Sequence, residues 1–557
     1  MWLTKDQLLN LTLELVAKKS VSGTSDEGEI AKFVYEKLQQ LDYYKENPKY
    51  LFIQSLNDEL NRYFVCALMK SKKKTDKTLL TIAHMDTADI ENAGILKDYI
   101  LDPYVYTEKL KENMHLLNEE AKNDLLSGEW LFGRGLMDMK MGLAMQMSLI
   151  DYYSKQEEFE GNILLIAVPD EESNSEGAIN AIPFVNKIIE ENNLKPLAVL
   201  NSEPDFGAYP GDDNKYIYTG TCGKLLPGFF IVGKEVHVGE SLSGLNPNLI
   251  GAEILSRLDF NTSFCENVGN ESTMPPTCLK YEDTKKSYNI QMPPSAIMYY
   301  NMQTLNSNPK DVILKLKNIC EEACLAVINK VKKAKSEYEK LSNSTIENDD
   351  FKIEIYTFDE LYNKIYKLKG NEFKEIIQEK INEYIKDKNL DERDISNNIV
   401  KEVCKFAKSE EPFIVIFFAP PYYPHVGMNE EDEKSKKILN SVNKVIQTAT
   451  EKYNEEIKIQ KYFKGLSDLS YFALQDADEV IKYLQPNMPS LGYRYKLPLE
   501  EIKKLNVSVL NYGPHGKDPH KFTERILLDY SYDVVPKLVK ILVEDLFKND
   551  MLVNKES

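Results

Sequence analysis

Apolar residues recur at helical spacing over residues 4–19 and 26–40. Ser22-Gly23-Thr24-Ser25 interrupts the two, and Ser25 or Asp26 is placed to cap the second helix. Near-continuous apolar runs follow at 63–68, 79–83, 162–168 and 197–201, as expected for strands covered on both faces by helices. Helical patterns at 141–153 and 177–190 lie between them, so the first 220 residues predict α/β architecture with a largely parallel sheet. The middle of the chain reads differently. Runs at 225–232, 288–291, 297–301 and 413–418 predict strands of a second sheet. Long charged helices at 309–341 and through 358–408 separate them, with a polar loop at 343–350. Beyond about residue 430 the α/β pattern returns, with a helix at 431–451, strands near 457–461 and 506–510, and a last amphipathic helix at 524–547. The pattern predicts one α/β domain made of 1–220 and 425–557, interrupted by an inserted α+β domain at 221–424.

Composition narrows the classes. A chain of 557 residues that is 42% hydrophobic and 10% aromatic can bury a large core, which excludes wholesale disorder. No run approaches the ~20 apolar residues of a membrane helix, and the start, MWLTKDQLLNLTLELVAKK, has charges between its apolar residues and is not a signal peptide. The balance of 69 basic against 88 acidic residues leaves a net charge of −19, which repels phosphate backbones and argues against nucleic acid as a partner. Lysine clusters at 72–74 and 330–335 read as solvated faces. The 7 cysteines form no disulfide framework; Cys320 and Cys324 stand at i, i+4 spacing and read as buried apolar residues. An odd count without an export signal points to the reducing cytoplasm.

Six histidines are few for this length, so their positions matter. The run 79–83 leads straight into His84-Met85-Asp86-Thr87, and residues i and i+2 of an extended strand share a face. A histidine with a carboxylate two residues on suits a metal ligand with its orienting partner, although from this pair alone a surface or satisfied histidine is the better reading. The run 162–168 ends in Asp170-Glu171-Glu172, consecutive carboxylates whose repulsion is costly unless cations or protons offset it; a solvated acidic turn is the other reading of this segment. Between these lies the Gly-punctuated loop GRGLMDMKMG with Asp138. The run 197–200 ends in Asn201-Ser202-Glu203-Pro204, and 507–510 leads to a segment with His515 and His520. Ligands of open α/β sheets bind at the carboxyl ends of strands. Two histidines with three or four carboxylates suit a pair of borderline divalent cations.

The ordered set HMDT, GRGLMDMKMG, VPDEES, NSEP and GKDPHKFTE resembles the M20 metallopeptidases and deacylases over roughly 1–220 and 425–557. Within that family, GKLLPGFFIVGKEVHVGE and PPYYPHVGM are most similar to its arginine-utilisation members. The resemblance implies a zinc-exopeptidase-like catalytic domain with a mixed, largely parallel sheet, interrupted by an α+β lid. It implies two divalent metal ions, zinc first, with cobalt or manganese as alternatives. By motif, His84, Asp138, Glu172, Glu203 and His520 become the metal ligands, with Asp138 bridging. Asp86 becomes the orienter of His84, and Glu171 the general base, although on chemistry alone Glu171 and Glu172 could exchange roles. His515 competes with His520, which has the family's following Glu524.

From the lid, the resemblance assigns His237 a contact to the tetrahedral oxyanion and Asn289 and His425 contacts to substrate. The lid strand reads Met298-Tyr299-Tyr300-Asn301-Met302-Gln303, without the Arg that grips a substrate carboxylate in many members. Segment 88–132 is an insertion whose His115 reads as solvated. The expected protein is a cytoplasmic hydrolase of an amide or peptide bond in a small amino-acid derivative, with a place in arginine catabolism. It acts as a monomer or as a homodimer through the lid. A dipeptidase or aminopeptidase, or a binding protein that keeps the fold without turnover, are the rival readings.

Overall fold

The computed structural model describes residues 4–207, 211–346, 351–407 and 411–549. The chain forms two compact units: the first comprises 1–221, 426–474 and 500–557, and the second comprises 222–425 with 475–499. Among the described residues no helix is long and apolar enough to cross a membrane.

The first unit is built on an eight-stranded mixed sheet. Lys77–His84 lies between Asn162–Val168 and Lys195–Asn201 and runs parallel to both, and Val509–Asn511 extends the parallel set. Tyr63–Met69 and then Leu51–Ser55 continue one edge antiparallel. Lys215–Tyr218 and Ile457–Gln460 form the other edge, parallel to each other. The continuous apolar runs follow from burial on both faces. Leu79, Ala83, Ile163, Leu165 and Ala167 share a core with the helices Lys5–Val16, Met141–Ser154 and Val535–Asn549. The alternate residues Leu80, Ile82, Leu164 and Ile166 point the other way and are buried too, with helix Glu176–Asn192 against that side of the sheet.

Segment 88–132 folds into helices Pro103–Glu112 and Glu119–Ser127 with strand Trp130–Phe132, around its own core of Leu96, Ile100, Tyr106, Leu110 and Leu125. The helix expected at 524–547 is shorter than its apolar pattern. Arg525–Leu527 is instead a strand paired with Trp130–Phe132, and the helix proper is Val535–Asn549.

The second unit has a five-stranded sheet. Gly223–Val232 sits between Ser295–Thr304 and Phe413–Tyr423, antiparallel to both, and Glu354–Thr357 adds a parallel edge. Every residue of Phe413–Tyr423 is buried. Phe413, Val415 and Phe417 meet the helices Phe358–Lys369, Asn371–Tyr384 and Glu392–Lys405 through Leu361, Phe373 and Ile399. Helices Pro247–Leu258 and Pro309–Ser342 also pack on this sheet. Cys320 and Cys324 are buried on the second of these. Two expectations fail here. Residues 288–291 form no strand: Pro293 and Pro294 supply no N–H to a ladder, and Tyr288 stands 92% exposed. Lys335 is not solvated but buried, with its ammonium 5.1 Å from the Phe351 ring centre. Of the loop expected at 343–350, residues 347–350 lie outside the described residues.

Candidate active site

Four of the candidate side chains are delivered by neighbouring parallel strands that end on the same side. His84 is the last residue of its strand, Glu171 and Glu172 follow Asn162–Val168, and Glu203 follows Lys195–Asn201. Asp138 comes from the turn that precedes helix Met141–Ser154. That helix can approach because Gly142 has no side chain: a Cβ there would lie 2.2 Å from the Ser202 carbonyl oxygen. Gly513 permits the same closeness on the other side, where a Cβ would lie 2.3 Å from the Glu203 oxygen.

The Asp138 carboxylate is the centre of the cluster. His84 Nε2 lies 3.0 Å from its Oδ1, and His520 Nε2 lies 3.1 Å from its Oδ2. Each histidine also meets one further carboxylate. His84 Nε2 is 3.4 Å from Glu203 Oε1, and His520 Nε2 is 3.0 Å from Glu172 Oε2. Glu171 belongs to the same cluster, with donor atoms of His84, Glu171 and Glu203 all within 4.8 Å of one another. Asp86 holds the site from behind. Its main-chain oxygen is 3.0 Å from His84 Nδ1, its Oδ1 stands 3.6 Å away, and its carboxylate accepts the Glu171 and Glu172 N–H groups at 3.2 Å. The His84 ring is thus oriented chiefly by the Asp86 carbonyl, while the carboxylate fixes the loop that bears both glutamates.

The electrostatics are those of anions packed without enough cations. Burial pushes the Glu171 carboxyl well above its ordinary value, with Glu203, Asp468 and Glu172 adding to the push against His84. Burial and Asp138 likewise raise Glu172, and burial takes Glu203 up to about 7. For His84, burial works against the charged ring, but Glu203, Asp138 and Asp86 outweigh it and raise its pKa well above the ordinary value. Hydrogen bonds to Asp138 and Glu172 bring His520 up to about 10. Asp138 is held far below the usual carboxylate range: burial opposes this, but the two histidines prevail. Cations bound between these rings and carboxylates would neutralise the same oxygens. Two imidazole nitrogens and four carboxylates within one buried cluster are a donor set that fits a pair of borderline divalent ions.

Two supporting residues carry no signal in the sequence pattern. Arg62 is buried and forms ion pairs with Asp170, with Glu176 at 3.1 Å and with Glu27 at 3.8 Å, so it balances the first of the three consecutive carboxylates. Asp468 comes from the C-terminal part of the first unit, where burial lifts its carboxyl to about 8 against the pull of Ser175 and His84. Neither position is marked by periodicity or spacing, because both act across the fold.

The other candidates fall elsewhere. His515 pairs with Asp205 at 3.1 Å, buried, and is taken up by that contact. His115 is exposed. His237, Asn289 and His425 belong to the second unit. There His237 is exposed and its Nδ1 accepts the Gly239 N–H at 3.0 Å. Its loop is joined to the Asn289 loop by the Val238 N–H, which donates to the Ile290 oxygen at 3.0 Å. His425 is buried with Nδ1 3.2 Å from Thr304 Oγ1.

Comparison with known proteins gives a consistent picture. Residues 118–505 match the model of peptidase family M20/M25/M40. The chain is 37% identical to protein YqjN of Bacillus subtilis (strain 168) over 548 residues, covering 98% of this chain and 97% of that one. It is 34% identical to protein RocB of the same strain over 536 residues, covering 95% and 93%. Among solved structures, aminopeptidase PepT from Bacillus cereus ATCC 10987 superposes with a TM-score of 0.51 at 14% identity, covering 98% of this chain and 100% of that one, which is a likeness of fold.

Proposed function

This chain belongs to peptidase family M20/M25/M40, a metallohydrolase family, and from that premise we propose that it hydrolyses an amide bond in a small amino-acid derivative with two divalent ions. The observation that carries the reading is the Asp138 carboxylate, each of whose oxygens meets a different histidine Nε2. In this reading His84 and Glu203 would hold one ion, Glu172 and His520 would hold the other, and Asp138 would serve both. Zinc is the expected pair, with cobalt and manganese as alternatives. Bound ions at this site supply Lewis-acid polarisation of the scissile carbonyl and neutralise the surrounding carboxylates.

The protein's own groups do the rest. Glu171 takes a proton from the attacking water and returns it to the departing amine nitrogen, a role that suits a carboxyl whose pKa is raised by burial. Asp86 orients His84 and keeps the Glu171 loop in place. From the second unit, the family resemblance assigns His237 to the developing oxyanion and Asn289 and His425 to substrate. The substrate proposed is an arginine- or ornithine-related amide. Its support is the likeness to the arginine-utilisation members and the lack of Arg in Ser295–Thr304 to grip a free carboxylate.

The test is a panel of N-acyl amino acids and dipeptides, arginine and ornithine derivatives included, offered to wild type and Glu171→Gln. Turnover of a panel member should fall by roughly 100- to 10,000-fold in the variant while metal content stays. A variant as fast as wild type sinks the assignment, and loss of metal together with activity would make Glu171 a ligand instead.

A further inference from the structure

The two histidines of the site are held in different ways. His84 is 1% exposed at its side chain, and its Nδ1 is fixed by the Asp86 carbonyl at 3.0 Å. His520 is 54% exposed at its side chain, and among the described residues nothing accepts a hydrogen bond from its Nδ1. Beyond the Nε2 contacts to Asp138 and Glu172, neither packing nor a hydrogen bond at Nδ1 therefore sets the direction of this imidazole. Its main chain, moreover, is in the left-handed region, with φ at +63°. A histidine stays there only where its surroundings over-determine it.

Those surroundings come from two segments far away in the chain. The His520 carbonyl oxygen accepts Arg134 Nη2 at 2.8 Å and also a hydrogen bond from Asn92 Nδ2. Arg134 is fully buried and spends the rest of its guanidinium on the same neighbourhood. Its Nη2 donates to Asn92 Oδ1 at 3.1 Å, its Nε and Nη2 donate to the Asp89 carbonyl at 3.2 and 3.0 Å, and its Nη1 pairs with Glu524. Glu524 in turn accepts the Gly135 N–H at 2.7 Å on its other oxygen. Asn92 and Asp89 open the 88–132 insertion, and Arg134 and Gly135 lead to Asp138. The peptide of His520 is thus pinned between the insertion and the loop that carries the central carboxylate.

We infer that Asn92 and Arg134 are positioning residues for His520. They act through its main-chain oxygen and replace the ring hydrogen bond that orients His84. The 88–132 insertion then has a task at the site without lending it a ligand. Groups that orient a metal ligand from behind are worth about 10- to 100-fold in metal affinity, so the inference has a measurable size. It rests on the two-ion reading given above.

The test is a cobalt titration of the metal-free full chain, following the visible absorption of bound cobalt and the heat of each binding step. His520→Ala identifies the step that depends on this histidine. Asn92 is exposed, so Asn92→Ala leaves the core intact. It should weaken that step by about 10-fold, with the other step and the melting temperature of the metal-free protein as in wild type. Arg134→Lys keeps the charge on Glu524 but loses the planar fork, and should weaken the same step by nearer 100-fold. If Asn92→Ala binds both ions with wild-type affinity, or weakens both equally, the inference is wrong while the two-ion reading stands. Wild-type protein that takes up fewer than two cobalt ions would overturn both.

Discussion

The first unit gathers His84, Asp138, Glu171, Glu172, Glu203 and Asp468 at the ends of its parallel strands, all drawn into one electrostatic cluster. In the second unit the buried ionisable groups Lys335, Glu402 and His425 are dispersed, and its sheet is lined by Phe, Ile and Val on both faces. Each pattern follows a different physical rule. Apolar burial stabilises the second unit by about 25 cal/mol for each Å² removed from water. Buried carboxylates cost free energy unless each finds a counter-charge. The first unit keeps five of them within reach of two imidazoles, an arrangement that stability alone does not explain. The difference separates the part of the protein built for chemistry from a part whose described core is built for packing.

The largest expected effect removes the centre of the charged cluster. Asp138→Asn leaves both histidine Nε2 atoms without their shared anion. Metal content should fall, and turnover should drop by more than the roughly 100- to 10,000-fold expected from losing the base alone. A variant with full metal content and activity would erase the contrast between the units. The matching change in the second unit is Phe373→Ala. Phe373 is 1% exposed, with ring centres of Tyr362 and Phe406 at 5.1 and 5.2 Å. Its truncation should cost about 3–5 kcal/mol in denaturant unfolding while metal uptake stays at the wild-type level. Lost metal uptake in a folded Phe373→Ala would mean that the two regions are not separable in this way.

Chelation gives a smaller and more local change. Ions at a hundredfold excess over their Kd stabilise the fold by about 2.7 kcal/mol. Their removal should speed hydrogen exchange around residues 84–87, 137–140, 170–174 and 518–521. Exchange in Gly223–Val232 and Phe413–Tyr423 should stay as it was. Uniform acceleration through both units would contradict the comparison.

The same contrast explains what could be read from the chain. The strands of the first unit were legible because burial on both faces leaves uninterrupted apolar runs, and strand ends in a parallel sheet collect ligands. His84, Glu171, Glu172 and Glu203 stand out as candidates on that ground. Leu51–Ser55 and Thr277–Asp283 were missed because edge strands are only partly buried and carry polar residues. Arg525–Leu527 hid inside a helical pattern, since three residues are too few to show a period of two. Arg62 and Asp468 were invisible for another reason: their partners lie far off in sequence, 108 positions away for Arg62 and Asp170. The assignment of Gln475–Leu499 to the second unit is likewise a matter of long-range contact, to which local periodicity is blind.

The smallest effect concerns His425, the one buried histidine in the described part of the second unit. Burial pushes its pKa below the ordinary value, against the opposing charges of Glu266 and Asp476. The folded protein therefore keeps the ring neutral at a pH where the unfolded chain, with a pKa of about 6.5, already takes up a proton. The unfolded state binds more protons in that window, so stability is highest above about pH 6.5 and falls as the pH drops toward the lower folded value. His425→Gln cannot titrate, and its amide still offers Thr304 Oγ1 a hydrogen-bond partner. The stability difference between wild type and variant should shrink or reverse as the pH is lowered from 7.5 to 5, in denaturant unfolding at fixed salt. In the first unit the site histidines His84 and His520 are instead raised by their carboxylates. A wild-type minus variant difference that stays flat over this range would mean that His425 is not kept neutral, and that the two units treat histidine alike.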